Sequence, residues 1–181
     1  MVVILLGTGF EEAEALVPAD LLRRAGIETA LTGVAGARVT GAHGVTVEAD
    51  LTLDAVDPAQ VELIMLPGGM GGVESMEASP AAKALIRQVW DQGRYVAAIC
   101  AAPTLLARLG IVQGRRAVCY PGMEDKLGQA QACPGEQVVV DGRLITGEAP
   151  GAAFVFGLKL VEVLRGAGMA AQVLHETHYR L

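Results

Sequence analysis

The apolar run Val2-Val3-Ile4-Leu5-Leu6, closed by Gly7-Thr8-Gly9, restricts the fold more than any other stretch of this chain. It has no polar face, so it reads as a strand covered on both sides, as in the centre of a parallel sheet. A parallel neighbour requires a crossover, and helical patterning follows at once. Residues 11–25 carry Ala13, Val17 and Leu21 at spacings of four, Arg23 and Arg24 in the last turn, and Gly26 as a C-cap. Pro18 inside this helix removes a backbone donor and predicts a kink.

The alternation continues. Residues 27–34 read as a second strand, and Val45-Thr46-Val47 follows the turn Gly41-Ala42-His43-Gly44 as part of a small antiparallel excursion. Residues 61–66 give a buried strand that runs into Pro67-Gly68-Gly69-Met70-Gly71-Gly72, read as a tight loop with the character of an anion nest. Ser79-Pro80 supplies the N-cap and first residue of a helix reaching about Gln92. Residues 95–99 form a fourth buried strand, and Cys100-Ala101-Ala102-Pro103 opens a helix to about Leu109. Strands are also expected at 117–120 and on either side of Asp141-Gly142, and a broadly apolar helix at about 151–165. Strand and helix alternating through short glycine turns predicts an α/β fold with a mostly parallel sheet and helices on both faces. Ligands in such folds bind beyond the carboxyl ends of the strands, so residues 7–14, 67–72 and 100–103 are expected on one rim.

Composition narrows the function. The 181 residues fit one compact domain, and 52% hydrophobic with 19% charged residues excludes disorder. A net charge of -6 without a basic cluster argues against nucleic acid as a partner. No apolar run reaches membrane-spanning length and no charged n-region precedes Val2, so no membrane association or signal peptide is expected. Cys100, Cys119 and Cys133 are an odd number at irregular spacing, fitting neither a disulfide framework nor a zinc site and pointing to a reducing, cytoplasmic setting.

Cys100 ends a strand and starts a helix among small neighbours, Ala98, Ala101 and Ala102. That is the setting of a strained, exposed nucleophile whose thiol pKa is lowered by helix N–H groups, and equally of a buried structural cysteine. Glu11, Glu12 and Glu14 crowd the first turn of the first helix. One of them pointing at the sulfur would be desolvated and share a proton with it, while acids at a helix start are also favoured by the dipole alone.

The strings Glu11-Glu12-Ala13-Glu14, Leu66-Pro67-Gly68-Gly69 and Ala97-Ala98-Ile99-Cys100-Ala101-Ala102-Pro103-Thr104, with Arg23-Arg24-Ala25-Gly26-Ile27 and Pro150-Gly151, resemble the ThiJ/PfpI superfamily over residues 2–173. The resemblance is greatest to the branch of the parkinsonism-associated, peroxide-responsive protein. It implies a flavodoxin-like three-layer sandwich, a homodimer, Cys100 as nucleophile, and Glu14 protonated and hydrogen-bonded to the sulfur. It also implies an oxyanion hole from the amides of Gly69 and Ala101, with Gly68, Tyr120 and Pro121 around the pocket and His43 and Arg24 near the dimer contact or rim. The activity it implies is cysteine-dependent chemistry on a small carbonyl compound or glycated side chains, of glyoxalase or deglycase type, with no cofactor and no metal. Peroxide sensing or a chaperone-like stress role through the same cysteine is the alternative, and an amidase or peptidase stands behind both.

The sequence also departs from that family. Ala101 stands where the protease-like branch has histidine, so a Cys-His dyad is missing there. Tyr120-Pro121 replaces a His-Pro of several relatives, His43 replaces an arginine, and Glu148-Ala149 with Ala152 makes the rim less basic. Gly7-Thr8-Gly9 lacks the third glycine of a dinucleotide loop, with Glu12 in its place. His175 and His178 have helical spacing but no third ligand nearby, and read as a solvated tail. Cys119 is a core thiol or a resolving partner for Cys100, and Cys133 a loop thiol.

Overall fold

The computed structural model describes residues 1–180. Strands β1 (Val2–Leu6), β2 (Thr29–Gly33), β5 (Leu51–Thr52), β6 (Leu63–Leu66), β7 (Tyr95–Ile99), β10 (Val138–Asp141) and β11 (Leu144–Gly147) form a seven-stranded sheet in the order β10-β11-β7-β6-β1-β2-β5. Every pair is parallel except β10 with β11, the hairpin expected around Asp141-Gly142. Two short ribbons stand apart: β3 (Arg38–Thr40) antiparallel with β4 (Thr46–Glu48), and β8 (Arg116–Ala117) with β9 (Gln131–Ala132). All five residues of β1 and all four of β6 are buried, as their unbroken apolar sequence requires.

Helices α1 (Glu12–Arg24), α5 (Ala153–Arg165) and α6 (Ala167–Thr177) pack together on one face. Right-handed crossovers then put α2 (Met70–Ala78), α3 (Pro80–Asp91) and α4 (Pro103–Arg108) on the other. Chain direction along the sheet reverses between β1 and β6, so the ends of these two strands and of β7 flank the crevice where such sheets bind ligands. Ser79 caps α3 by accepting from Ala82 N–H at 3.1 Å, as Ser79-Pro80 predicted.

Four expectations need correction. The buried side of α1 is Glu12, Glu14, Ala15, Pro18, Ala19, Leu21 and Leu22, so of the row Ala13-Val17-Leu21 only Leu21 is in the core. Pro18 faces α5, where a Cβ on Gly157 would lie 3.0 Å from Pro18 Cα, so the proline sits at a backbone-close helix contact. Residues 70–72 are the first turn of α2 and not a loop. Their glycines serve close approach: a Cβ on Gly72 would lie 2.7 Å from Phe10 Cα, and one on Gly7 would collide with Gly72 O. The chain after Gly166 is a helix docked through the fully buried Val173, while His175 and His178 stay exposed as expected, so the tail is solvated only on its outer face. The strand expected at 117–120 shrinks to Arg116–Ala117, because Val118 and Tyr120 give their N–H groups to Thr146 Oγ1 and Cys100 O instead of a ladder.

Candidate active site

The chain reverses at Cys100 with φ 66°, a left-handed conformation disfavoured for any residue with a side chain. The surroundings hold it there. Cys100 N–H donates to Gly147 O at 2.9 Å, and Cys100 O accepts from Tyr120 N–H at 2.8 Å. Thr104 Oγ1 donates to Ala101 O at 2.8 Å, fixing the residues that lead into α4. The strand-to-helix elbow expected from the small residues is therefore present, but Cys100 is buried, at 8% exposure, and not exposed as expected of a strained nucleophile.

Glu14 comes to the same point from α1. It is completely buried, and Oε2 accepts from Gly68 N–H at 2.7 Å. Oε1 has no hydrogen-bond partner among the described residues, although the Cys100 thiol lies near enough to this carboxyl for each group to shift the other's titration. Gly68 makes the approach possible, since a Cβ there would lie 2.6 Å from Glu14 Oε2 and 3.0 Å from Cys100 Sγ. Gly69 follows with φ 80°, and a Cβ on it would lie 2.5 Å from Gly9 O and 2.7 Å from Glu11 N. Only glycine fits there, and the resulting turn aims its N–H at the sulfur, as Ala101 N–H is aimed from the elbow.

Electrostatics departs from the expectation of a lowered thiol pKa. Burial first, then the charge and hydrogen bond of Glu14, push the Cys100 thiol up to about 12, against the smaller opposing pull of the Gly69 and Ala101 amides. Helix α4 is only six residues long and starts three residues later, too short and too far to reverse this. Burial raises Glu14 to about 7, partly offset by its bonds to Cys100 and Gly68. The two groups titrate as a pair that holds one shared proton above neutrality.

The sulfur opens into a cavity of about 550 Å³. Gly69, Ala101, Tyr120 and Pro121 line it, joined by Glu11, Met70, Met123, Lys126 and Pro150, whereas Gly68, expected around the pocket, is not in the lining and packs between Glu14 and Cys100 instead. Tyr120 is 46% exposed, so its ring forms a wall while its hydroxyl reaches water. A larger depression of about 630 Å³ between residues 33–36 and the start of α3 contains no cysteine, and the Ser79 hydroxyl in its lining is engaged in capping α3. Sequence reading missed Met70 because α2 was taken for a loop. It missed Lys126 because the short 3₁₀ turn Glu124–Leu127 has no periodic signal.

The remaining candidates lie apart from the sulfur. His43 is exposed, with Nδ1 2.8 Å from Glu12 Oε2 and 3.6 Å from Glu11 Oε1. The Glu12 bond, then the two carboxylate charges, raise its pKa. Burial pushes Glu12 up, but hydrogen bonds from the His43 side chain and from backbone N–H groups, including those of His43 and Val45, outweigh it and hold that carboxyl below its usual range. Glu11, Glu12 and His43 are the one set of three metal-competent side chains among the described residues, and Glu12 already spends its oxygens on the 41–45 turn. Arg24 lies at the far end of α1, bonded to Asp20 at 2.8 Å, away from the rim. Cys119 packs with Ala117 and Leu127 in a separate cluster, its thiol pushed up to about 11 by burial and then by Glu124 and Asp125. Cys133 is a half-buried loop thiol with Sγ 3.5 Å from Gln131 O. The rings of His175 and His178 are 6.2 Å apart, with no acidic or thiol side chain completing a set.

The family model described as DJ-1/PfpI matches residues 1–163. The chain is similar to protein dj-1beta of Drosophila melanogaster, 37% identical over 94% of this chain and 92% of that one. It is also similar to a protein named a deglycase from Pyrococcus horikoshii, 30% identical over 91% of this chain and 99% of that one. Among solved structures, Drosophila melanogaster DJ-1beta superposes with a TM-score of 0.95 at 35% identity, covering 99% of this chain and 98% of that one. A structure titled as oxidized Toxoplasma gondii DJ-1 gives 0.93 at 34% identity, again covering 99% and 98%.

Proposed function

We propose, since this chain belongs to the DJ-1/PfpI family, that it is a cysteine-dependent enzyme acting on small dicarbonyls or their glycation adducts. The observation that carries this reading is the convergence on Cys100 of a buried carboxyl and two backbone N–H groups at the floor of an open cavity. Relatives named as deglycases support the reaction class.

A protonated thiol is a weak nucleophile, and burial keeps this one protonated. Glu14 answers that difficulty by taking the thiol proton as sulfur attacks the aldehyde carbon of a 2-oxoaldehyde. The new C–S bond leaves the electron pair on the former carbonyl oxygen, where Gly69 and Ala101 N–H donate to it. Glu14 returns the thiol proton to that oxygen, giving the hemithioacetal. It then removes the proton of the same carbon and delivers it to the neighbouring carbonyl carbon while the hydroxyl proton passes to the ketone oxygen, which gives a 2-hydroxy thioester. Water cleaves the thioester and restores the thiol. The balance is one methylglyoxal plus one water to one lactate: the aldehyde carbon is oxidised, the ketone carbon is reduced, and no external redox partner is required.

Lactate formed from methylglyoxal without glutathione, and abolished in Cys100→Ser, is the expected result; no lactate above a denatured control contradicts it. No imidazole lines the cavity among the described residues, which leaves the peptidase alternative without its base. The same convergent donors favour one second reading, peroxide sensing, in which two peroxides oxidise Cys100 to a sulfinate held by these groups and release two waters. Selective addition of two oxygens at Cys100, without carbonyl turnover, distinguishes it. A homodimer belongs to the same proposal and is tested by sedimentation.

A further inference from the structure

The Cys100 cavity is asymmetric in charge. Glu11 and Lys126 both line it, together with the apolar side chains of Met70, Met123 and Pro121. The two charges are not equivalent. Glu11 has His43 Nδ1 at 3.6 Å, so its carboxylate has a cationic partner once that ring is protonated. Lys126 has no carboxylate within ion-pair distance among the described residues. Its backbone is nonetheless fixed. Its N–H donates to Met123 O at 3.0 Å, and the next residue, Leu127, is buried with Ala117 and Cys119. A lysine with a fixed backbone and no carboxylate partner in the lining of a nucleophile's cavity supplies a positive charge that acts on anything approaching the sulfur.

We propose that Lys126 is a specificity-determining residue that directs this site to carbonyl compounds bearing a small anionic group. The substrate class it selects is 2-oxoaldehydes with a carboxylate beyond the ketone, and amine or thiol adducts of such compounds. The carbonyl lies at the Gly69 and Ala101 amides, the carboxylate at Lys126, and repulsion from Glu11 disfavours the reverse orientation. This rests on the enzymatic reading above for its substrate, but not for its electrostatics. For 4,5-dioxopentanoate the balance is the same as for methylglyoxal: one water is added, the aldehyde carbon becomes a carboxylate, the ketone becomes an alcohol, and the product is 2-hydroxypentanedioate.

The test separates the two layers. Alkylation of Cys100 by iodoacetate, an anion, and by iodoacetamide, its neutral counterpart, forms the same C–S bond with loss of iodide, and is read by mass spectrometry of the Cys100 peptide. The expected result is that the iodoacetate-to-iodoacetamide rate ratio falls about fivefold in Lys126→Gln and is largely kept in Lys126→Arg. High salt is expected to lower the ratio in the wild type, since screening acts over about 8 Å at physiological ionic strength. Lys83→Gln, in α3, is the control for a charge change remote from the cavity. A ratio unchanged in Lys126→Gln overturns the proposal. In turnover, the preference for 4,5-dioxopentanoate over methylglyoxal is expected to fall about fivefold in Lys126→Gln, through KM and not kcat. Turnover of both aldehydes with an unaltered preference overturns the proposal and leaves the enzymatic reading standing. A shifted alkylation ratio without turnover of either aldehyde upholds the role of Lys126 and contradicts the enzymatic reading.

Discussion

Glu14 Oε2 accepts a 2.7 Å hydrogen bond from Gly68 N–H, joining the first turn of α1 to the turn after β6 across 54 residues of chain. That bond occupies one carboxyl oxygen and leaves the other, Oε1, buried beside Cys100 without a hydrogen-bond partner among the described residues. Replacing Glu14 by Gln preserves an acceptor for Gly68 but removes the proton carrier. Turnover of a 2-oxoaldehyde is expected to fall about 100-fold or more, and its rise through about pH 7 is expected to disappear. A pH–rate profile of Glu14→Gln checks both, and full turnover contradicts the assignment.

The same carboxyl makes stability depend on pH in an unusual direction. Its folded pKa of about 7 lies above the ordinary 4.5, so the folded state binds more protons between these values. The contribution is fully present below 4.5 and is lost as pH rises through about 7, a change on the order of 3 kcal/mol. Urea unfolding at pH 5 and pH 8 is expected to show this loss in the wild type and to show it much reduced in Glu14→Gln.

Gly69→Ala places a methyl group against Gly9 O and Glu11 N on a backbone with φ 80°. The turn must shift, and its N–H leaves the sulfur. The variant is expected to lose about 2 kcal/mol of stability and about 100-fold in turnover. Denaturant titration and steady-state kinetics on the folded fraction measure the two effects separately.

Glu12 holds the 41–45 turn through His43 N–H and Val45 N–H. In Glu12→Ala these amides lose their acceptor, and their hydrogen exchange is expected to accelerate while that of β1 stays slow. Exchange read by NMR at near-neutral pH checks this. Acidification is expected to mimic the variant, because a carboxyl whose folded pKa is lowered stabilises above its ordinary value and loses that contribution as pH falls.

The sheet was legible in the sequence because β1, β6 and, after the half-buried Tyr95, β7 are buried on both faces and carry no polar residue to confuse the period. The elbow was legible too, from Cys100 among alanines. What sequence hid was physical in each case. Gly71 and Gly72 signal a turn by composition, yet they sit in α2 because Phe10 and Gly7 press against its backbone. The spacing of Ala13, Val17 and Leu21 resembles a core row, but the partner of α1 is α5, whose Gly157 draws Pro18 inward. The direction of the Cys100 shift depends first on how deeply the thiol itself is buried and then on Glu14 beside it, which no spacing along the chain reveals. Lys126 reaches the cavity only through a 3₁₀ turn held by Leu127, a contact invisible to periodicity.

The central claim is that Cys100 carries the substrate covalently. Wild-type protein mixed with methylglyoxal, quenched in acid at successive times and digested, is expected to show one adduct with the mass of methylglyoxal on the Cys100 peptide. That adduct is expected to rise first and to decay as lactate accumulates, and to be missing in Cys100→Ser. Adducts spread over arginines and lysines with none at Cys100 while lactate forms would contradict the account.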